Sequence, residues 1–83
     1  MSRRVVVYSK PGCHLCEDAM QLLRDLSAEF DLAIEEIDIT TDRTLFKNYF
    51  DKIPVLLIDD RTTLCAPIMK HDLVHILSSP KFP

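Results

Sequence analysis

The sequence lacks any hydrophobic run long enough to cross a membrane, since its longest uninterrupted apolar stretch has four residues, Val5–Tyr8. A membrane-spanning helix needs about 20 such residues, so we expect no membrane partner. A basic stripe is missing as well, because the 10 lysines and arginines are scattered among 13 acidic residues. Nucleic-acid-binding domains concentrate positive charge on one face, so we expect no nucleic-acid partner.

Cysteine is scarce and odd in number, with three residues in a chain of 83. The apolar stretch that follows Arg3 and Arg4 is too short for the core of a signal peptide. An odd cysteine count without an export signal argues against a disulfide framework. We therefore expect a cytoplasmic monomer, one domain over residues 1–83, whose cysteines serve chemistry rather than stability.

What the sequence does contain is a regular alternation of apolar runs and amphipathic stretches. RVVVYS and PVLLID are typical of strands buried on both faces. LAIEEIDI predicts a strand in which the alternation of apolar and polar residues is interrupted at Glu35 and Glu36. This interruption indicates a bulge or an edge position. TTLCA follows a turn at residues 59–61 and predicts a fourth strand, forming a hairpin with PVLLID.

Three stretches have helical periodicity. The first helix has an apolar face formed by Leu15, Ala19, Leu22, Leu23, Leu26 and Phe30. The second is short, begins at a Thr41 or Asp42 cap, and has core and rim residues at Leu45, Phe46, Tyr49 and Phe50. The third runs from about Met69 to Ser79, buries Leu73, Ile76 and Leu77, and precedes a proline-containing tail, SPKFP.

The resulting order is β-α-β-α-β-β-α. It predicts an α/β fold with a four-stranded mixed sheet flanked by helices. Because the first three strands alternate with helices, we expect right-handed crossovers between them.

The stretch SKPGCHLCEDA places Cys13 and Cys16 at the junction of the first strand and the first helix. A helix N-terminus favours an anion, and cysteine thiols there have pKa values lowered to about 3.5–7.5. Lys10 and His14, when charged, would act in the same direction, so His14 is a predicted modulator of the Cys13 pKa. Cys16 lies one turn further in and should be more covered. We therefore predict that Cys13 attacks a disulfide and Cys16 resolves the mixed disulfide.

Ile53 and Pro54 stand directly before the strand VLLI. A proline at the first residue of a central strand cannot donate a ladder hydrogen bond, so we expect it to serve a function there. A cis Ile53–Pro54 bond would turn the Ile53 backbone outward and leave its N–H and C=O free to pair with an extended substrate. Ile53 and Pro54 are thus candidate substrate-binding residues.

Together these motifs resemble the thioredoxin fold, and YSKPGCHLC is most similar to the glutaredoxins, in particular small glutaredoxin-like proteins with Cys-x-Leu-Cys. The resemblance extends from Val5 to about Leu77. It implies a thioredoxin-like fold and a thiol–disulfide oxidoreductase with nucleophile Cys13 and resolving cysteine Cys16. It also implies that Pro54 is a cis-proline facing the pair and that Lys10 pairs with a glutathione carboxylate.

The chain departs from the glutaredoxin pattern at three places. His14-Leu15 replaces Pro-Tyr, and Lys52-Ile53-Pro54 replaces Thr-Val-Pro. The Gly-Gly and acidic pair that hold the amino-acid end of glutathione are absent from residues 65–68, which read Cys-Ala-Pro-Ile. The substrate is therefore open between a glutathione mixed disulfide and a protein disulfide. We expect no bound cofactor, with glutathione as a candidate reductant.

A metal site is the main alternative, in which a non-catalytic domain of the same fold binds zinc or an iron–sulfur cluster. The candidate ligands are Cys13, His14, Cys16, Cys65, His71 and His75. His71 and His75 share a face of the last helix, which should lie away from the cysteine pair, so we expect no metal. Cys65 is expected to be a small buried apolar residue, with an auxiliary thiol as the alternative.

Overall fold

The structure is a computed structural model that describes residues 2–79. The strands are β1 (Arg3–Ser9), β2 (Leu32–Asp38), β3 (Val55–Ile58) and β4 (Thr62–Cys65). The helices are α1 (His14–Leu26), α2 (Arg43–Tyr49) and α3 (Lys70–Ser78), with a 3-10 turn at Ile39–Thr41 before α2. The predicted order of elements is confirmed, while the 3-10 turn was not expected. The expected proline-containing tail lies outside the described residues from position 80 onward.

The four strands form one mixed sheet in the order β2-β1-β3-β4. β1 pairs with β2 in parallel, and β3 is antiparallel to both β1 and β4. The predicted parallel crossover from β2 to β3 is therefore wrong. The seven residues of α2 extend about 10 Å, whereas β2 extends about 23 Å. This helix is too short to carry the chain back to the other end of the sheet. β3 therefore starts at the same end of the sheet at which β2 finishes, and it runs antiparallel to β1.

β1 is central and its middle residues, Val5 to Val7, are buried. The core lies between one face of the sheet and the helices α1 and α3, and its large buried side chains include Leu23, Leu56 and Leu73. In α3, Leu77 is buried as predicted, whereas Ile76 is only half-buried beside this cluster. The prediction that β1 is covered on both faces is confirmed.

β2 occupies an edge of the sheet, which explains its irregular pattern. Its register with β1 is continuous from Leu32 to Asp38, so there is no bulge. Glu35 and Glu36 are both exposed at this edge. Of the two explanations for the interruption, the structure supports the edge position.

The second helix begins where the sequence predicts but packs differently. The Asp42 carboxylate caps it by accepting hydrogen bonds from the Thr44 and Leu45 amides at 2.8 and 3.1 Å. No residue of α2 is buried, and Phe46 and Phe50 are exposed, with their rings stacked 5.7 Å apart. They were predicted as core and rim residues, and a place in the core is wrong for both rings, because two helical turns cover only one end of the sheet.

Arg3 joins three parts of the fold. Its Nε donates to the Asp59 carboxylate in the β3–β4 turn, and its Nη1 donates to the Leu77 and Ser79 carbonyl oxygens at 3.1 and 2.9 Å. These carbonyls lie at the C-terminal end of α3, where helix carbonyls lack partners within the helix. The Arg3 guanidinium therefore caps α3 from the first residue of β1.

Over residues 2–79, no helix has the length and apolar character that a membrane crossing requires.

Candidate redox site

The two cysteines lie where β1 leads into α1. Cys13 is the N-cap of the helix, and its Sγ accepts a hydrogen bond from the Cys16 amide at 3.2 Å. The Cα atoms are 5.2 Å apart, and the two Sγ atoms are at disulfide-bond distance. Cys16 is only 2% exposed, whereas Cys13 is half-buried. The expected asymmetry of exposure is confirmed, and the roles of attacker and resolver stay predictions.

The turn before the cysteines depends on a glycine. Gly12 has a φ of +78°, a left-handed conformation that residues with a Cβ rarely adopt. A Cβ at this position would meet no atom within 4 Å, so the backbone conformation rather than space favours glycine. Gly12 thus directs the chain from the strand into the helix that Cys13 caps.

A polar cavity of about 430 Å³ lies beside the pair, between the start of α1 and the end of β2. Lys10 lines this cavity together with Cys13 and Cys16. A lysine that contacts the substrate would have to lie at this position. Ser9 and Glu36 also line the cavity, and the buried Ser9 hydroxyl donates to the Glu36 carboxylate at 2.9 Å. The substrate contact of Lys10 stays a prediction.

Asp38 completes the wall of this cavity. Hydrogen bonds from the Thr40 hydroxyl and the Thr40 amide, at 2.6 and 2.8 Å, lower the pKa of Asp38 below its ordinary value of 3.8. The side chain is therefore a carboxylate at neutral pH, and the cavity presents fixed negative charge close to the cysteines.

The Ile53–Pro54 bond is cis, as predicted, and Pro54 is buried. Pro54 lines one groove with Leu15, which stands between the two cysteines, so the proline lies next to the Cys-x-x-Cys turn. The Ile53 amide, however, donates to the Tyr49 carbonyl at 3.1 Å. The expectation of a free Ile53 N–H is wrong, because the chain leaving α2 makes one further helix-type hydrogen bond. A substrate contact through Ile53 or Pro54 stays a prediction.

Leu15 was expected on the buried face of α1, and this is wrong, since 56% of its surface is exposed. It lies in the first turn of the helix, beyond the part of α1 that packs on the sheet. The groove that it lines with Pro54 has a volume of about 300 Å³ and continues to Pro67 and Ile68.

Cys65 was also expected to be buried, and it is exposed. It ends the edge strand β4 opposite Val55, while its neighbour Leu64 points the other way, onto the core. Neither α1 nor α3 covers the face on which Cys65 lies, and α2 is too short to reach across it. Its alternative role as an auxiliary thiol is untested.

The candidate metal ligands do not come together in one cluster. Among residues 2–79, no three histidine, cysteine or acidic side chains form a group that could hold a metal ion. His71 pairs with Asp72 at 3.3 Å on the exposed side of α3. His14 is exposed at the first position of α1, directly after Cys13, and its influence on the Cys13 thiol stays a prediction.

Sequence comparison decides the family. A family model described as Glutaredoxin-like domain (DUF836) matches residues 4–78. The chain belongs to the glutaredoxin-like family. A comparison with curated proteins found no match.

Solved structures agree with this assignment to the glutaredoxin-like family. The solution NMR structure of protein Ne2328 from Nitrosomonas europaea is 32% identical, with a TM-score of 0.79 over 95% of this chain and 94% of that one. The X-ray structure of protein XcR50 from X. campestris is 26% identical, with a TM-score of 0.76 over 92% and 99% of the two chains. An N21Q mutant thioredoxin from Halobacterium salinarum, at 16% identity and a TM-score of 0.72 over 92% and 72%, shows the shared thioredoxin-like fold.

The groove between α1 and α3 is the part of this glutaredoxin-like site that the sequence did not predict. Its outer wall, at Pro67 and Ile68, occupies the segment between β4 and α3, which also contains a second cis bond, Ala66–Pro67. The only sequence signal was the lack of glycine in residues 65–68. The lack of glycine indicated that this segment does not have the usual motif for the amino-acid end of glutathione. It did not indicate that an apolar groove lies there.

Proposed function

We propose that this chain is a thiol–disulfide oxidoreductase in which Cys13 is the nucleophile and Cys16 the resolving cysteine. The single observation that carries the proposal is the placement of Cys13 as the N-cap of α1, with its sulfur accepting the Cys16 amide. In the reduced protein, the same amide and the positive end of the helix dipole stabilise a thiolate at Cys13.

The reaction transfers two electrons to the substrate. The Cys13 thiolate attacks a substrate disulfide, forms a mixed disulfide and releases one substrate sulfur as a thiolate, which takes up a proton. Cys16 then loses its proton and attacks the Cys13 sulfur. This step forms the Cys13–Cys16 disulfide and releases the second substrate thiol. An external thiol, for which glutathione or a protein dithiol are the candidates, must reduce the pair before the next turnover.

The burial of Cys16 supports this division of roles. An external disulfide cannot reach a sulfur that is 2% exposed, whereas the neighbouring Cys13 sulfur lies within bonding reach of it. A cytoplasmic location forms part of the proposal, because cycling between dithiol and disulfide requires a compartment that reduces the pair.

The test compares two coupled assays on the purified chain. One follows glutathione-dependent reduction of a small mixed disulfide, and the other follows reduction of a protein disulfide with thioredoxin reductase as the electron source. We expect activity in at least one assay, complete loss in Cys13→Ser, and a mixed disulfide at Cys13 in Cys16→Ser, seen by intact mass. Inactivity in both assays, combined with zinc or iron retained after purification, would favour the metal-binding alternative.

A further inference from the structure

The groove between α1 and the start of α3 presents an apolar surface directly beside the cysteine pair. Its apolar lining consists of Leu15, Ala19, Leu22, Pro54, Pro67 and Ile68. Leu15 is highly exposed, although it belongs to the turn between the two cysteines. Contiguous exposed apolar surface in a small domain marks a site of interaction, since exposure of this surface costs free energy.

The polar groups of the groove do not form a site for an anion. Within residues 2–79, its only charged lining residues are Asp18 and Lys70, one of each sign. Pro54 and Pro67 have no backbone N–H to donate. Glutathione has two carboxylates, one ammonium group and no apolar side chain. Only Lys70 could pair with its carboxylates here, and the apolar wall would remain uncovered.

Charge on the other side of the cysteine pair also disfavours an acidic ligand. The polar cavity there carries three carboxylates, from Glu17, Glu36 and Asp38, against the two cations of Lys10 and Arg24. The chain as a whole has a net charge of −3. A substrate segment that is neutral or basic therefore complements this end of the molecule better than an acidic one.

We propose that the groove receives an apolar side chain of a protein segment that carries the substrate disulfide. This inference rests on the proposed function and names its substrate class, a protein disulfide rather than a glutathione mixed disulfide. Leu15 lies within about one helical turn, ~5.4 Å, of Cys13. An extended chain advances ~3.3 Å per residue, so the side chain belongs to a residue one or two positions from the substrate cysteine.

The experiment uses the reduced full chain and three neutral peptides that differ only in the residue after their single cysteine, which is Leu, Ser or Asp. Each cysteine is joined through a disulfide to a nitrothiobenzoate chromophore. Attack by Cys13 on the peptide sulfur forms the peptide mixed disulfide and releases the coloured aryl thiolate, whose absorbance gives the second-order rate constant. A glutathione–nitrothiobenzoate disulfide is the fourth substrate.

We expect the Leu peptide to react about tenfold faster than the Asp peptide, the difference that one apolar contact in a pocket supplies. Leu15→Ser should remove this preference when the rate for each peptide is divided by the variant's own rate of Cys13 alkylation by iodoacetamide, which corrects for any change in thiolate reactivity. The matched control is Phe46→Ser, which replaces another exposed large apolar residue outside the groove and should retain the preference.

Two results would overturn the groove assignment while leaving the proposed function in place. One is equal rates for the three peptides or a faster reaction with the glutathione disulfide. The other is a preference for Leu that survives in Leu15→Ser. Failure of the reduced chain to react with all four disulfides would instead contradict the proposed function, and this inference with it.

Discussion

The three thiols of this chain stand in three different environments. Cys13 caps a helix and is half-buried, Cys16 is almost completely covered, and Cys65 is exposed on an edge strand. Thiol reactivity depends on both thiolate character and access. If exposure alone decided reactivity, Cys65 would be the most reactive of the three thiols. If stabilisation of the thiolate by the helix decides it, Cys13 is the most reactive.

Alkylation of the reduced protein distinguishes these two effects. With iodoacetamide at neutral pH, we expect Cys13 to be labelled first, Cys65 next and Cys16 last, because the helix end raises the thiolate fraction of Cys13. Peptide mass spectrometry over a time course gives the three rates. Cys65→Ser serves as the control and should leave the Cys13 rate unchanged. Faster labelling of Cys65 than of Cys13 would show that the helix does not activate the proposed nucleophile.

At the scale of helices and strands, the sequence predicts features that depend on local pattern better than features that depend on packing. The triple-valine run of β1 and the cap of α2 are local features; the sequence predicted the first and narrowed the second to Thr41 or Asp42, of which the structure has Asp42. The antiparallel direction of β3 and the exposure of Phe46 depend on how far α2 reaches, which is a tertiary property. Periodicity identifies the apolar face of a helix but not whether the sheet extends beneath it.

The turn between β2 and α2 should respond to acid through Asp38. The folded protein lowers the pKa of Asp38 below 3.8, through its hydrogen bonds with Thr40. The stabilisation is therefore present above the ordinary pKa and is lost as pH falls through the folded-state value. We compare the unfolding midpoints of the wild type and Asp38→Asn, which keeps an accepting oxygen but no charge.

The wild type should be the more stable of the two at neutral pH, with the difference closing in strong acid. The effect is small because the carboxylate is solvent-exposed. A difference that stays constant over the whole pH range would show that the charge of Asp38 is irrelevant to this turn.

Two adjacent arginines on β1 allow a matched comparison of how much a covered and an exposed ion pair contribute to the free energy of unfolding. The Arg3 side chain is 15% exposed and pairs with Asp59, whose side chain is 6% exposed. The Arg4 side chain is 56% exposed, in pairs with Glu35 and Asp60 at 3.6 and 3.4 Å. Arg3→Ala should lower the free energy of unfolding by about 2–3 kcal/mol, because it leaves helix carbonyls without their donor and leaves the covered Asp59 carboxylate with the Arg4 amide but no guanidinium partner. Arg4→Ala should cost about 0–1 kcal/mol.

Urea unfolding of the two variants measures both values. Equal losses for Arg3→Ala and Arg4→Ala would contradict the role assigned to Arg3, since both substitutions remove the same charge from neighbouring positions of one strand.

For the molecule as a whole, the sequence predicted the position of the cysteine pair in the fold but not the surface that surrounds it. The cysteine pair and Ile53–Pro54 are short motifs with a fixed backbone consequence: the Ile53–Pro54 bond is cis as expected, and Pro54 lines one groove with Leu15, the residue before Cys16. The apolar groove could not be predicted, because it is formed by side chains from α1, the segment before β3 and the segment before α3. Those segments meet only after the sheet has formed.

The exposure of Cys65 has a consequence for the isolated protein. Mild oxidation of the reduced chain should give a covalent dimer through two Cys65 thiols, because the other two cysteines close on each other. Non-reducing electrophoresis should show the dimer in the wild type and in a Cys13→Ser/Cys16→Ser variant, but not in Cys65→Ser. A dimer that persists in Cys65→Ser would mean that the Cys13–Cys16 pair opens to form intermolecular bonds.

The Arg3 contacts connect residues that are 76 positions apart in the chain. Helix ends normally fray, since their last carbonyls have no partner within the helix. Here the final turn of α3 cannot open without breaking hydrogen bonds to the central strand. Opening of this turn therefore costs the Arg3 hydrogen bonds in addition to those of the helix, which links the end of α3 to β1. Slow amide hydrogen exchange should thus extend to the end of α3, even though the helix has only nine residues.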